Sequence, residues 1–300
     1  MNRTIVRVMF PLMVLVFVSL FSTGQALAAT AYLAMDPGTV SVGDTILIRL
    51  VMDTMEKHPN TVEGTVLMKS GASNIEIRDF SLADSILTNW LKTPSLEDDS
   101  KISFIGGVPG GFSRKDALLF QIVFTAKAAG QVTFIPTDVK AYDNDGKATP
   151  IPAPGTPLTI TISLKGDGKE KNQWLDVIRN DNNPPQDLSV AFGSDASSFG
   201  GKKFMSISAI DRESGIDYFE VTEGNQPAIR SGMTYVLRDQ SESTPITVTA
   251  FDKAGNKSSI LLHPDTGKKK YVLWAGGIIV LLFIGFVLLR RFKSMRKKNV

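Results

Sequence analysis

Apolar and polar residues alternate in short runs from Ala31 to Leu164. That period of two puts successive side chains on opposite faces of a strand. Strands are predicted at Thr45–Val51, Thr61–Leu67, Asn74–Ile77, Ile102–Ile105, Leu118–Ala126, Gln131–Ile135 and Leu158–Ile162. Turn residues separate them at Asp36-Pro37-Gly38, from Gly106 to Gly111, and at Asp143-Asn144-Asp145-Gly146. Glycine there accepts positive φ, and Asp or Asn hydrogen-bonds its own backbone. A polar connector follows, with Gly166-Asp167-Gly168 and Pro184-Pro185, in which Trp174, Leu175, Val177 and Ile178 predict a short helical turn. Strands resume at Leu188–Phe192, Lys203–Ile210, Tyr218–Thr222, Thr234–Leu237 and Ile246–Phe251. Many short strands without a long helical period predict an all-β body of two sandwiches, residues 29–165 and 187–263, joined by a linker over 166–186.

The two ends follow other rules. Residues 1–28 have the layout of a secretory signal: Arg3 and Arg7, an apolar run from Val8 to Phe21, then Ala26-Leu27-Ala28 as a small-residue cleavage site. An uncleaved membrane helix is the competing reading, but the run is short for spanning. Tyr271–Leu289 holds 19 residues without a charge, enough to cross a hydrocarbon core of about 30 Å. Tyr271 and Trp274 suit the interface, and six basic residues, beginning with Arg290 and Arg291, follow Leu289. The expectation is a single-pass cell-membrane protein with its N-terminus outside, a transmembrane α-helix over 271–289 and a cytoplasmic tail over 290–300. His263-Pro264-Asp265-Thr266-Gly267 before the span resembles a sortase sorting signal with His263 in place of leucine, so covalent anchoring to a wall stays open.

Charge sharpens the picture. Eleven of the 33 basic residues lie in the first seven positions or beyond Gly267, whereas all 30 acidic residues lie between Ala29 and Gly267. The body is therefore acidic, which excludes nucleic acid as its partner. Cysteine is absent, which excludes a disulfide framework, thiolate metal sites and a cysteine nucleophile.

Several motifs carry a family resemblance. Asn60-Thr61-Val62-Glu63-Gly64, then Ile105-Gly106-Gly107-Val108-Pro109-Gly110-Gly111-Phe112, then Phe124-Thr125-Ala126-Lys127-Ala128-Ala129-Gly130 resemble a cohesin domain. Asp143-Asn144-Asp145-Gly146-Lys147 before a closing strand fits the same order. The resemblance implies a nine-stranded jelly-roll sandwich that binds dockerin modules or other partners through one sheet face. The chain departs from that pattern at Met68-Lys69-Ser70-Gly71, where the family usually has a Phe-Asp-Pro turn. Ala209 to Val221, Tyr235 to Gln240 and Thr249 to Asn256 resemble bacterial immunoglobulin-like surface modules, which implies an immunoglobulin-like second sandwich.

Catalytic signals are sparse. The body's two histidines are His58, in a polar loop, and His263, near the predicted membrane. Neither Gly-x-Ser-x-Gly nor His-Glu-x-x-His occurs. Glu97-Asp98-Asp99 reads as a solvated loop rather than a glycosidase pair. Asp143 and Asp145 have the oxygen density that Ca²⁺ favours, with a plain hairpin turn as the competing reading, and no other cofactor is expected. Trp90 and Tyr142, with Phe80, would suit sugar stacking or core packing. The expected function is non-enzymatic adhesion or scaffolding, with a dockerin-like protein or a carbohydrate as extracellular partner. A polysaccharide-degrading component and a purely structural spacer are the alternatives.

Overall fold

The alternating runs fold as strands in the computed structural model, which describes residues 29–36, 38–164, 168–196 and 199–263. Ala26 and Ala28 of the expected cleavage site lie outside these residues, as do Tyr271, Trp274, Leu289, Arg290 and Arg291 of the expected anchor. Among the described residues no helix is long and apolar enough to cross a membrane. The chain divides into two units, one running through Ser81 and over Ser85–Trp174, the other from Leu175 onward.

The first unit contains β1 (Thr30–Met35), β2 (Val40–Ser41), β3 (Thr45–Asp53), β4 (Pro59–Ser70), β5 (Ile75–Ser81) and β6 (Asn89–Asp98). It continues with β7 (Lys101–Gly107), β8 (Ala117–Ala126), β9 (Gly130–Asp143), β10 (Pro150–Pro152), β11 (Gly155–Thr156) and β12 (Leu158–Ser163). One sheet has the order β11-β1-β3-β8-β5; the other runs β2-β12-β9-β4-β7-β6, with β10 on β9. The unit has twelve strands rather than nine because β2, β10 and β11 are two- or three-residue additions at sheet margins. Gly106 and Gly107, expected in a turn, extend β7, and the turn begins at Val108.

Alternate residues of the two sheets meet in an apolar core. Ile48, Leu50, Met52, Phe120, Ile122 and Phe124 come from one sheet; Val62, Val66, Ile102, Phe104, Val132 and Phe134 come from the other. Two aromatic pairs bridge the layers: Phe104 meets Phe120 edge-on at 5.0 Å and Phe124 meets Phe134 at 6.0 Å between centroids. Such pairs add about 0.5–1.5 kcal/mol beyond burial.

Two irregularities shape the larger sheet. Pro136 in β9 has no N–H for the ladder, and Asp138 follows at φ 52°. Three β9 residues therefore span two of β4, since Glu63 pairs with Lys140 and Thr65 with Thr137. At the end of β4, Gly71 turns the chain at φ 70°, and a Cβ there would lie 1.9 Å from the Gln131 carbonyl oxygen. Met68, in the segment that departs from the cohesin pattern, is 5% exposed and belongs to the strand.

Lys171 and Gln173 of the connector are tied to the first unit. The Lys171 N–H donates to Asp44 at 2.8 Å, and Gln173 Oε1 accepts from the Leu47 N–H at 2.9 Å. The expected helical turn is α1 (Gln173–Asn180).

The second unit contains β13 (Gln186–Ser194), β14 (Lys203–Ile210), β15 (Ile216–Glu223), β16 (Ile229–Ser231), β17 (Thr234–Val236), β18 (Ile246–Asp252) and β19 (Lys257–Leu262). Its sheets have the orders β13-β14-β17 and β16-β15-β18-β19. Met205, Ile207, Phe219, Val221, Tyr235, Val248 and Ala250 form the core between them. At its margin Glu223, 4% exposed, accepts hydrogen bonds from the Tyr235 hydroxyl and the Arg238 and Asp239 N–H groups, each at 2.8 Å.

Phe120→Ala is expected to destabilise the first unit by about 3–5 kcal/mol in denaturant unfolding, through the lost aromatic contact and the cavity left behind. Leu91→Ser, at a position 86% exposed, should stay within about 0.5 kcal/mol.

The second unit should weaken in alkali. Burial, then the hydrogen bond to Glu223, push the Tyr235 phenol up to about 12. The fold thus favours the neutral phenol. That stability is complete below the unfolded value near 10 and is lost as pH rises through 12. Thermal melts between pH 9 and 12 should show a shallower decline in Tyr235→Phe than in the unaltered protein.

Candidate functional site

The strands of a sandwich turn one set of side chains into the core and leave the other outside. In the larger sheet of the first unit, cross-strand pairing sorts the outward set into three rows. Lys92, Ile105, Glu63 and Lys140 form the first; Ser95, Ser103, Thr65 and Thr137 the second; Asp98, Lys101, Leu67 and Ile135 the third. The middle row is thus all hydroxyl, with Ser103 buried, and the rows on either side mix aliphatic and charged residues. Leu67, Ile105 and Ile135 are each half-buried.

Polar contacts hold this face in place. The Thr65 and Thr137 hydroxyls are 2.7 Å apart. The Tyr142 hydroxyl donates to Glu63 at 2.6 Å, and that bond, ahead of burial, raises the phenol's pKa. Glu97 receives Lys92 and Lys101, each at 2.8 Å, and these, Lys101 first, hold its carboxyl down to about 2. Exposed pairs of this kind add little stability. They hold two ammonium groups and a carboxylate together beside Ile105 and the hydroxyl row.

The structure reassigns Glu97 and Asp98, expected in a loop, to the edge strand β6. The sequence signal was weak there because β6 slips register against β7 three times, which breaks the alternation a strand normally prints. The pairing of Glu97 with two lysines also marks it as a carboxylate kept ionised.

Trp90 and Tyr142 lie on opposite faces of one sheet. A Cβ on Gly106 would come within 2.8 Å of the Trp90 ring, and Gly106 pairs with the fully buried Val62, so Trp90 packs on the inner side. Tyr142 follows the inward Ala141 and faces out. Phe80 meets Phe120 edge-on at 6.4 Å in the other sheet. The three aromatics do not form one platform.

Asp143 and Asp145 lie where β9 turns into β10. Asp143 Oδ1 accepts from the Asn144 N–H at 3.0 Å; Asp145 accepts from the Lys147 N–H at 2.8 Å and from the Thr149 hydroxyl. Their oxygens serve the turn itself. His58 lies in the loop before β4. Among the described residues, the group of metal-ligating side chains that does come together is Asp181, Asp211 and Asp252, in the second unit. The sequence reading quoted Asp211 and Asp252 only as parts of a resemblance and left Asp181 in the connector. An Asp closing or following a strand, with Gly three or four residues on, was the signal available.

No family model and no curated protein matches the chain. Among solved structures it is similar to the cohesin module of a family 33 glycoside hydrolase from Clostridium perfringens, at 12% identity over 46% of this chain and 98% of that one, with a TM-score of 0.39. It is also similar to the seventh ScaB type I cohesin of Pseudobacteroides cellulosolvens, at 17% identity over 48% of this chain and 97% of that one, TM-score 0.40. A third similar structure is a type I cohesin–dockerin complex from Clostridium thermocellum, at 15% identity over 45% of this chain and 95% of the matched one, TM-score 0.38.

Proposed function

We propose that the chain is a non-enzymatic surface protein whose first unit docks a dockerin-type protein module on the outer face of β9, β4, β7 and β6. The observation that carries this reading is the face itself: a row of Ser95, Thr65 and Thr137 hydroxyls with Ile105 on one side, Leu67 and Ile135 on the other, and Lys92, Glu63, Glu97 and Lys101 among them. A face that combines aliphatic, hydroxyl and charged groups suits a protein–protein contact. The cohesin-like motifs at Asn60–Gly64, Ile105–Phe112 and Phe124–Gly130 support the same partner class. The second unit would act as an immunoglobulin-like spacer. Its first, second and fifth strands form one sheet and its fourth, third, sixth and seventh the other, as in an immunoglobulin-type sandwich with the fourth strand moved to the second sheet.

A panel of purified dockerin modules, beside an array of plant and microbial polysaccharides, tests the docking face by biolayer interferometry. At least one dockerin should bind, and Thr65→Arg and Ile105→Arg should each weaken binding tenfold or more. Arg49→Ala, in the other sheet, should leave it unchanged. Binding that survives both arginine substitutions would rule out this face.

Surface display rests on the signal-like N-terminus and on the uncharged run Tyr271–Leu289 before six basic residues. Protease added to intact cells should remove both units and spare a tag placed after Val300. A tag digested from outside would reverse the proposed orientation, and a mature protein lacking the tag would favour sortase cleavage.

A further inference from the structure

Three aspartates from separate segments of the second unit converge, and the Asn256 amide reaches Asp181 Oδ1 at 3.5 Å. Asp181 follows α1, Asp211 follows β14 and Asp252 closes β18. They are 5%, 5% and 2% exposed, and one carboxylate oxygen from each lies within 4.8 Å of the other two. Backbone N–H groups fix their orientation. Asp181 accepts from Asn183 at 3.1 Å and Ser214 at 3.2 Å, Asp211 from Gly215 at 2.6 Å, and Asp252 Oδ1 from Asn256 at 2.8 Å. Asp252 Oδ2, fully buried, has no hydrogen-bond partner.

Glu223 provides an internal comparison. That buried carboxylate is met by three donors at 2.8 Å. The trio places three carboxylates together and leaves an oxygen of its most buried member open. A buried, unsatisfied carboxylate oxygen is costly, and two further buried carboxylates beside it add to that cost. A divalent cation would meet several of these oxygens at once.

We propose that Asp181, Asp211 and Asp252 bind a divalent cation, with Ca²⁺ preferred, where the end of α1 meets the ends of β14 and β18. The donors are all hard oxygens, which suit Ca²⁺ or Mg²⁺ rather than softer metals. Three buried carboxylates form a protein cage of the kind Ca²⁺ takes, whereas Mg²⁺ keeps several waters and binds through one or two carboxylates. Binding would fix the α1 end and the turns after β14 and β18 to one another.

The test uses the full-length protein, stripped with chelator and then melted by calorimetry with no metal, with CaCl₂ or with MgCl₂. Ca²⁺ should raise the transition of the second unit by mass action, and Mg²⁺ at equal concentration should raise it less. Asp252→Asn and Asp211→Asn should each reduce Ca²⁺ affinity at least tenfold in isothermal titration. Without metal each should melt no lower than the unaltered protein, because each removes an unpaired buried charge. Asp145→Asn, in the β9–β10 turn, should leave the response intact. Absence of both heat and thermal shift with Ca²⁺ in the unaltered protein would overturn the proposal, and that measurement decides it even if a variant fails to fold. Retention of the full response in both aspartate variants, or its loss in Asp145→Asn, would also overturn it.

Discussion

The structure depends on apolar contact between facing sheets, because a chain without cysteine has no covalent cross-link to hold them together. In the first unit that contact is concentrated in Phe104 against Phe120 and Phe124 against Phe134, each pair reaching from one layer to the other. Both Phe120 and Phe124 belong to β8, next to the centre of the smaller sheet. One strand thus anchors the opposite layer at two points. With the inner faces committed in this way, the outward residues are free to vary in chemistry, and the Leu67, Ile105 and Ile135 face can serve binding without weakening the core.

The second unit solves a different problem, that of buried charge. Glu223 is placed where a phenol and two backbone N–H groups converge, so its oxygens are satisfied and it helps tie β15 to the segment after β17. The aspartate trio has backbone bonds that aim each carboxylate but leave one buried oxygen, Asp252 Oδ2, without a hydrogen-bond partner. One carboxylate acts as part of the framework. The other three have the organisation of a binding site.

Alternation made much of this fold legible. β3, β8 and β14 carry dense apolar runs and fall close to where the sequence puts them. β9 was readable only to Ile135, because Pro136 and the positive φ of Asp138 shift the period within a strand that continues to Asp143. β6 was not readable at all, since its three slips leave no regular face. The outer face was hidden for a further reason. Which residues stand beside Ile105 is set by register between strands, and a single strand's pattern does not encode it. The trio was hidden likewise, because Asp181 is 71 residues from Asp252 in sequence and they meet only through the fold.

The irregularity of β6 has a consequence for copies held close together. An edge strand offers its unpaired N–H and C=O groups as a template for a neighbouring chain, and a regular edge can join a second sheet. Along β6 the slips near Trp90, between Lys92 and Ser95, and near Leu96 put successive polar groups out of step. Pro94 also withholds one donor from the row. A second copy approaching that edge would find no continuous ladder to extend. This edge thus gives a neighbouring molecule little to extend, while the broad face beside it is a separate surface for a different kind of partner.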